Sequence, residues 1–272
     1  TTVSQGPQLD ANGLRQALRV AGGCTLGFAI SNLMNWPYGI FFTVYPMLLL
    51  GLVPVISKPV LKQFIASAGF SAFIVLVLQG LFSHIPVVMT LIVFLCFCIL
   101  FYQMSSGGGF LFGALGAVGL SIQQHFSSYV TGVDTVYPLI VSNGAATLLS
   151  IVIAVLMHGI FPDVAPRIPR VPPPKAKESI RHEVLLCASV ATLSFVVFQA
   201  LDLQDSISAQ ASSVLILFSL CWKAASLAGW QRAIGTLIGC NLALLAQLFL
   251  YNHSDFLLFP VLVLWILAAI IF

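Results

Sequence analysis

The sequence predicts an all-α protein, a polytopic transmembrane bundle of about ten helices. Composition is the first observation: 59% of the 272 residues are hydrophobic and only 7% are charged, against roughly 25% in an average soluble protein. So few polar groups cannot cover a water-exposed globule. A soluble enzyme is therefore excluded. A nucleic-acid-binding protein is excluded as well, because the net charge of +3 comes from scattered cations and not from a basic stripe.

The second observation is a series of apolar stretches. A helix needs about 20 mainly apolar residues to cross a bilayer, and stretches near that length recur between charges, prolines or polar clusters. They are continuously apolar and lack the period-two alternation of a membrane β-barrel. In chain order, the predicted spans are 14–35, 39–57, 62–82, 85–103, 109–127, 133–161, 182–201, 207–223, 230–251 and 256–272.

Polar and helix-breaking residues mark the ends of these elements. A polar tail precedes the first span, Trp36-Pro37 forms the turn before the second, and Lys62 opens the third. The proline-rich, basic segment 162–182 follows the sixth span, and Arg232 opens the ninth. The predicted domains are a cytoplasmic tail (1–13), a first membrane half of six helices (14–161), a cytoplasmic linker (162–182) and a second membrane half (183–272).

The cations predict the orientation, because Lys and Arg stay on the cytoplasmic side of a membrane. With the N-terminus in the cytoplasm, the cytoplasmic connections and the adjoining span ends contain all 11 cations of the chain. The opposite loops, around Asn35, His84, Tyr129, Asp202 and Asn252, contain none. The sequence thus predicts a multi-pass protein with a cytoplasmic N-terminus.

The two halves also resemble each other. Thr25-Leu26-Gly27-Phe28 reappears as Thr192-Leu193-Ser194-Phe195, and Lys62 corresponds to Arg232. Because six spans precede the linker, both halves begin inside and form parallel repeats. The second half contains four of six expected helices, so we expect a natural protein longer by two helices or truncated here.

The segment Gly229–Gly239 opens the ninth span with Arg232, Gly235, Thr236 and Gly239 at the spacing Arg-x-x-Gly-Thr-x-x-Gly. This pattern resembles the signature of the fusaric acid resistance and aromatic acid exporter superfamily. The basic opening at 14–19, Trp36-Pro37 and Pro54 are similar to a compact bacterial branch of it. Many relatives carry large cytoplasmic domains, whereas this linker has about twenty residues.

The resemblance implies a bacterial inner-membrane exporter of small organic acids, aromatic ones among them, or of drugs. It also implies two six-helix halves and a periplasmic membrane-fusion adaptor as partner, beside the lipid bilayer. A proton gradient is the expected energy source, since the chain has no nucleotide-binding motif. A homo-oligomer is a further expectation, and we expect no cofactor.

Small residues at four-residue spacing indicate close helix packing. Gly235 and Gly239 form such a face, as do Gly23 and Gly27 in the first span. We interpret these glycines as packing residues in preference to substrate contacts. Arg232 can remain at the membrane interface, with its guanidinium at the level of the lipid phosphate groups.

Polar side chains at bilayer depth are candidates for a transport path. Asp134, Tyr137 and Asn143 share the sixth span, and Tyr45 adjoins Pro46 in the second. Burial would raise the pKa of an acid such as Asp134 and let it exchange protons. The alternative for Asp134 is a solvated helix cap. Further candidates for a polar route are His158, Gln79, Gln123, Gln124, Asn241 and Gln247.

Two other functions remain open. Arg15, Arg19 and Lys62 form a basic cytoplasmic mouth, which suits an organic-anion channel. The third hypothesis is a non-transporting membrane scaffold. No metal site is expected, because the cysteines lie in apolar spans, where free Cys behaves as a small hydrophobe. No catalytic motif is present.

Overall fold

The computed structural model describes residues 11–129, 133–165, 167, 175–203, 207–219 and 222–251, and the positions 261, 263, 265 and 266. Side chains are described there except at 133–135, 208, 222, 223, 246, 247 and 249–251. Within these ranges all regular structure is helical. The helices are α1 (Ala11–Leu33), α2 (Ile40–Leu52), α3 (Lys58–Leu81), α4 (Pro86–Ser105), α5 (Phe110–Ser128), α6 (Val133–Ile160), α7 (Lys177–Ala200), α8 (Ile207–Ile216, then a 3₁₀ turn Leu217–Ser219) and α9 (Trp222–Tyr251).

The prediction of about ten helices is wrong for the part of the chain described here, which contains nine α-helices. Each of the first nine predicted spans corresponds to one helix, and the tenth, 256–272, lies almost entirely outside the described residues. Several helix ends differ from the predicted ones, most of all the start of α9, which lies at Trp222, eight residues before the predicted start. α2 stops at Leu52, because a residue before a proline, here Pro54, disfavours helical backbone. α7 already begins at Lys177, so the charged residues at the end of the predicted linker are part of this helix.

Four helices are long and apolar enough to cross a membrane among the described residues: α3, α4, α6 from Val136 onward, and α7. Between 33% and 44% of their most apolar windows is buried inside the protein. The remaining apolar surface faces outward, which water would not tolerate over such an area. The chain is therefore a helical protein whose candidate spans indicate a membrane protein.

Packing divides the chain into two compact units. Unit 1 comprises Thr1–Ser57, Ala146–Arg170 and Asn241–Phe272, and unit 2 comprises Lys58–Ala145 and Val171–Cys240. The units interleave along the sequence, since α6 and α9 each contribute residues to both. The predicted boundary at the linker 162–182 remains a prediction.

In unit 1, α1 packs closely against α2. Pro46 lies inside α2 and has no N–H to donate to the carbonyl of Phe42, four residues earlier. That carbonyl faces α1 at Gly27, where an added Cβ would lie 1.8 Å from the Phe42 oxygen. A Cβ at Gly23 would lie 2.5 Å from Leu50 Cδ1. The two glycines thus let the backbones of α1 and α2 approach.

In unit 2, α5 is the central helix and contacts α3, α4, α7 and α8. Its residues from Gly113 to His125 are all buried. A Cβ at Gly113 would lie 2.3 Å from the carbonyl oxygen of Leu100 in α4, so glycine is required for this approach.

Candidate functional site

Polar side chains are buried along the second half of α5. Ser121, Gln123, Gln124 and His125 are each at most 1% exposed. Buried polar groups ordinarily have hydrogen-bond partners, since an unpaired one costs about 1–3 kcal/mol. Four buried polar residues within five positions of a central helix are therefore a costly feature of this end of unit 2.

Neighbouring helices supply part of the hydrogen bonding. Gln123 donates its Nε2 to Ser71 Oγ of α3 at 2.8 Å, and Gln210 of α8 donates its Nε2 to Ser121 Oγ at 3.0 Å. The Oε1 atoms of Gln123, Gln124 and Gln210 have no partner among the described residues. The buried amides of unit 2 thus retain free acceptor oxygens.

A cavity of about 680 Å³ lies where α3, α5 and α7 end and α4 begins. Its wall mixes amides, hydroxyls and one imidazole with apolar side chains. The described lining residues are Gln79, Gly80, Ser83, His84, Pro86, Met89, Thr90, Ser127, Ser128, Phe195, Val196, Gln199 and Ala200. All of them belong to unit 2.

Hydrogen bonds fix several of the lining groups. Gln79 donates its Nε2 to Ser127 Oγ at 3.0 Å. Ser127 and Ser128 both donate to the carbonyl oxygen of Gln124, at 3.2 and 2.7 Å. In contrast, the Nε2 of Gln199 is buried and has no partner among the described residues. The wall therefore contains preorganised hydroxyls and one unused amide donor.

Tyr129 connects the end of α5 to α7 next to the cavity. Its hydroxyl donates to the carbonyl oxygen of Phe198 at 3.3 Å. Burial, and then the carboxylate of Asp202, raise the pKa of Tyr129 above its usual value. The hydroxyl therefore stays protonated and keeps its hydrogen bond to Phe198.

Unit 1 contains a second polar group, the arginine cluster, made of Arg15, Arg19, Asp163 and Arg167. Arg19 is 1% exposed and pairs with Asp163 at 2.9 Å, while its Nε donates to the Phe161 carbonyl oxygen at 2.6 Å. Arg167 pairs with the same Asp163 oxygen at 3.3 Å. Arg15 donates to the Pro162 carbonyl oxygen. These cations meet carbonyls that follow the C-terminus of α6, where the helix dipole is negative.

The predicted path residues are not brought together around the cavity. The side chain of Asp134 lies outside the described residues. Tyr137 is 68% exposed, whereas Asn143 is buried and donates its Nδ2 to the Ala68 carbonyl oxygen at 3.3 Å. These residues belong to unit 2, but none is among the described lining residues.

The other two path candidates belong to unit 1. Tyr45 is 3% exposed and packs its ring against Phe41, with centroids 5.4 Å apart. His158 places Nδ1 2.8 Å from the Ala154 carbonyl oxygen and Nε2 3.3 Å from that of Pro54. Both side chains therefore make local contacts within their unit.

The signature residues Arg232, Gly235, Thr236 and Gly239 lie in the middle of α9, not at its start. Arg232 and Thr236 are exposed, and nothing lies within 4 Å of a Cβ added at Gly235. Lys62 is exposed in the second turn of α3. Among the described residues, no group of three or more His, Cys, Asp or Glu could hold a metal ion.

Sequence reasoning identified Gln79 but missed Ser127, Ser128, Thr90 and Gln199. Serines and glutamines near helix ends resemble ordinary capping or interface residues. The available signal was their position, because each lies within two turns of a loop that contains no Lys or Arg. Grouping polar residues by predicted membrane depth would have collected them.

Comparison with known proteins gives one match. A family model described as a protein of unknown function, DUF2955, matches residues 16–157. No curated protein and no solved structure matches the chain significantly.

Proposed function

The chain belongs to the DUF2955 family of proteins of unknown function, and we propose that it is a membrane transporter that exports small organic compounds. The cavity of unit 2 carries the proposal. Its volume of about 680 Å³ falls in the range of small-molecule sites, about 300–1,000 Å³. Such sites combine an apolar wall with a few fixed polar groups, and Phe195, Met89, Gln79 and Ser127 supply both.

The buried polar groups of α5 support a route leading from the cavity. Ser127 lines the cavity, Gln124 lies one turn earlier in the same helix, and Ser121 with Gln210 lies one turn further. Polar groups at bilayer depth are costly and are retained mainly where solutes or protons move. In the proposal, a ligand leaves the cavity along this row of amides and hydroxyls.

The finer features of the proposal rest on the signature around Arg232 and on the distribution of cations. The protein lies in a bacterial inner membrane with its N-terminus in the cytoplasm, and its two membrane halves are repeats. It is driven by the proton gradient and works with a periplasmic membrane-fusion adaptor. His84 supplies the imidazole of the cavity wall.

Transport is tested with the full chain in liposomes. Uptake of radiolabelled aromatic amides, amines and acids is measured with and without an imposed pH gradient. Uphill movement that depends on the gradient supports the exporter. The blocking variant is Gly80→Phe, because Gly80 lines the cavity and a Cβ there meets nothing within 4 Å.

Gly69→Phe is the matched control. Gly69 lies on the same helix, α3, is equally open, and is not among the described lining residues. We expect uptake to fall at least about tenfold in Gly80→Phe and to stay unchanged in Gly69→Phe, because filling a site removes the favourable contacts that bind the ligand. Equal uptake by both variants would refute a role of the cavity in transport.

The organic-anion channel is a second candidate because of the arginine cluster. Two guanidinium groups pair with one carboxylate there, and a third donates to a backbone carbonyl, so the cluster carries excess positive charge. The same liposomes separate the two functions. A passive current that reverses at the anion equilibrium potential would support the channel and overturn the exporter. If no compound moves, the result supports the third hypothesis, a non-transporting scaffold.

A further inference from the structure

None of the described residues that line the cavity is a lysine or an arginine. The chain contains neither residue between Lys62 and Arg167, nor between Arg181 and Lys223. These two segments contain all the described lining residues. A carboxylate that enters the cavity loses water without gaining a fixed cationic partner, and burial of an unpaired ion is strongly unfavourable.

Three hydroxyls of the wall, those of Thr90, Ser127 and Ser128, present lone pairs and not protons. A hydroxyl has a single proton. Thr90 donates its proton to the backbone carbonyl four residues earlier at 2.9 Å, and Ser128 donates to the Gln124 carbonyl at 2.7 Å. Ser127 donates to the same carbonyl at 3.2 Å and accepts from Gln79 at 3.0 Å. These three hydroxyls can therefore only accept hydrogen bonds from a ligand.

The helix dipoles also favour a ligand that donates hydrogen bonds or carries a positive charge. Three helices end at the cavity, α3 at Leu81, α5 at Ser128 and α7 at Ala200, whereas only α4 begins there, at Pro86. A helix C-terminus corresponds to about half a negative elementary charge, and an N-terminus to about half a positive one. The backbone therefore makes the cavity a region of negative potential.

We propose that this cavity binds molecules whose polar end is an N–H donor, uncharged or cationic, on an apolar body, and that it excludes carboxylate anions. Phe195, Val196 and Met89 receive the apolar body. The unpaired Nε2 of Gln199 donates to the carbonyl oxygen of an amide ligand. This inference rests on the proposed function, since it names the ligand class of the same cavity, and it implies that an organic acid enters only in its protonated form.

Three aromatic probes of similar size test the ligand class with the purified full chain in nanodiscs. Benzamide is uncharged and donates N–H, methyl benzoate is uncharged and has no donor, and benzoate is an anion at neutral pH. We expect benzamide to bind at least about tenfold more tightly than the other two, as measured by equilibrium dialysis. Overturning results are benzoate or methyl benzoate binding as tightly as benzamide, or no saturable binding of benzamide.

A matched pair of variants tests whether benzamide binds in the cavity. Ser128 and Ser213 both donate to the carbonyl oxygen four residues earlier, at 2.7 and 2.9 Å, but only Ser128 is among the described lining residues. Loss of one hydrogen bond to the ligand weakens binding about two- to tenfold. We expect this loss for benzamide in Ser128→Ala and no change in Ser213→Ala. Equal affinities in the two variants would place benzamide elsewhere and overturn the proposal.

The binding test and the transport test can fail separately. If liposomes show no uptake of any compound while benzamide binds with the expected preference, the exporter fails and the ligand class stands. If Gly80→Phe blocks gradient-driven uptake but benzoate binds as tightly as benzamide, the ligand class fails and the exporter stands.

Discussion

Removal of the Asp163 carboxylate is expected to destabilise unit 1 strongly. Arg19 is 1% exposed, Asp163 is its ion-pair partner, and the Nη1 atom of Arg19 has no partner among the described residues. Breaking a buried ion pair from one side costs about 3–5 kcal/mol, because a buried charge is left uncompensated. Asp163 itself is 20% exposed, so water recovers part of this cost. We therefore expect a loss of about 3 kcal/mol in Asp163→Ala.

The loss is measured by thermal unfolding of the full chain in nanodiscs. Cys24 lies in α1 and is 6% exposed, so labelling of its thiol reports the opening of unit 1. The background keeps Cys24 and replaces the other cysteines by alanine. At about 2–4 °C per kcal/mol for a chain of this size, the midpoint should fall by about 6–12 °C.

Two controls make the result decisive. Glu178→Ala removes an exposed carboxylate from the first turn of α7 and should lower the midpoint by less than about 2 °C, because surface charges contribute little. Arg19→Met combined with Asp163→Ala should recover most of the loss, since a buried pair replaced by apolar groups is often neutral. A midpoint for Asp163→Ala equal to that for Glu178→Ala would refute the reasoning.

Two glycine substitutions should change stability in opposite directions. In Gly27→Ala the new Cβ would lie 1.8 Å from the Phe42 carbonyl oxygen, so α1 and α2 must separate, at a cost of about 1–3 kcal/mol or more; an unchanged rate of Cys24 labelling would contradict this. In Gly144→Ala the new Cβ meets nothing within 4 Å inside α6, and the lower entropy of the unfolded chain should stabilise the protein by about 0.4–1 kcal/mol. A lower unfolding midpoint of Gly144→Ala would be the contrary result.

Local patterns predict the helices but not how their side chains meet. The start of α4 at Pro86 could be predicted, because proline is favoured in the first turn of a helix. Arg19 gives no comparable signal. An arginine near the end of a span ordinarily extends to the interface, and it is buried here because Asp163, 144 positions away in sequence, pairs with it.

The cavity was difficult to predict for a similar reason. Gln79 is conspicuous as an amide in an apolar span, but Ser127 lies 48 positions away, and hydropathy cannot indicate that the two meet. The absence of lysine and arginine from the loops that follow α3, α5 and α7 was visible in the sequence. Its consequence for a ligand becomes evident only when the ends of α3, α5 and α7 are placed around one space.

The carbonyl oxygen of Phe42 has a consequence for motion. Pro46 cannot donate to it, and Gly27 of α1 covers it. If α1 and α2 moved apart, the close backbone packing that Gly27 permits at this oxygen would be lost. Any conformational cycle should therefore carry α1 and α2 as one rigid body, and a pair of spin labels on these helices should keep its separation in every state.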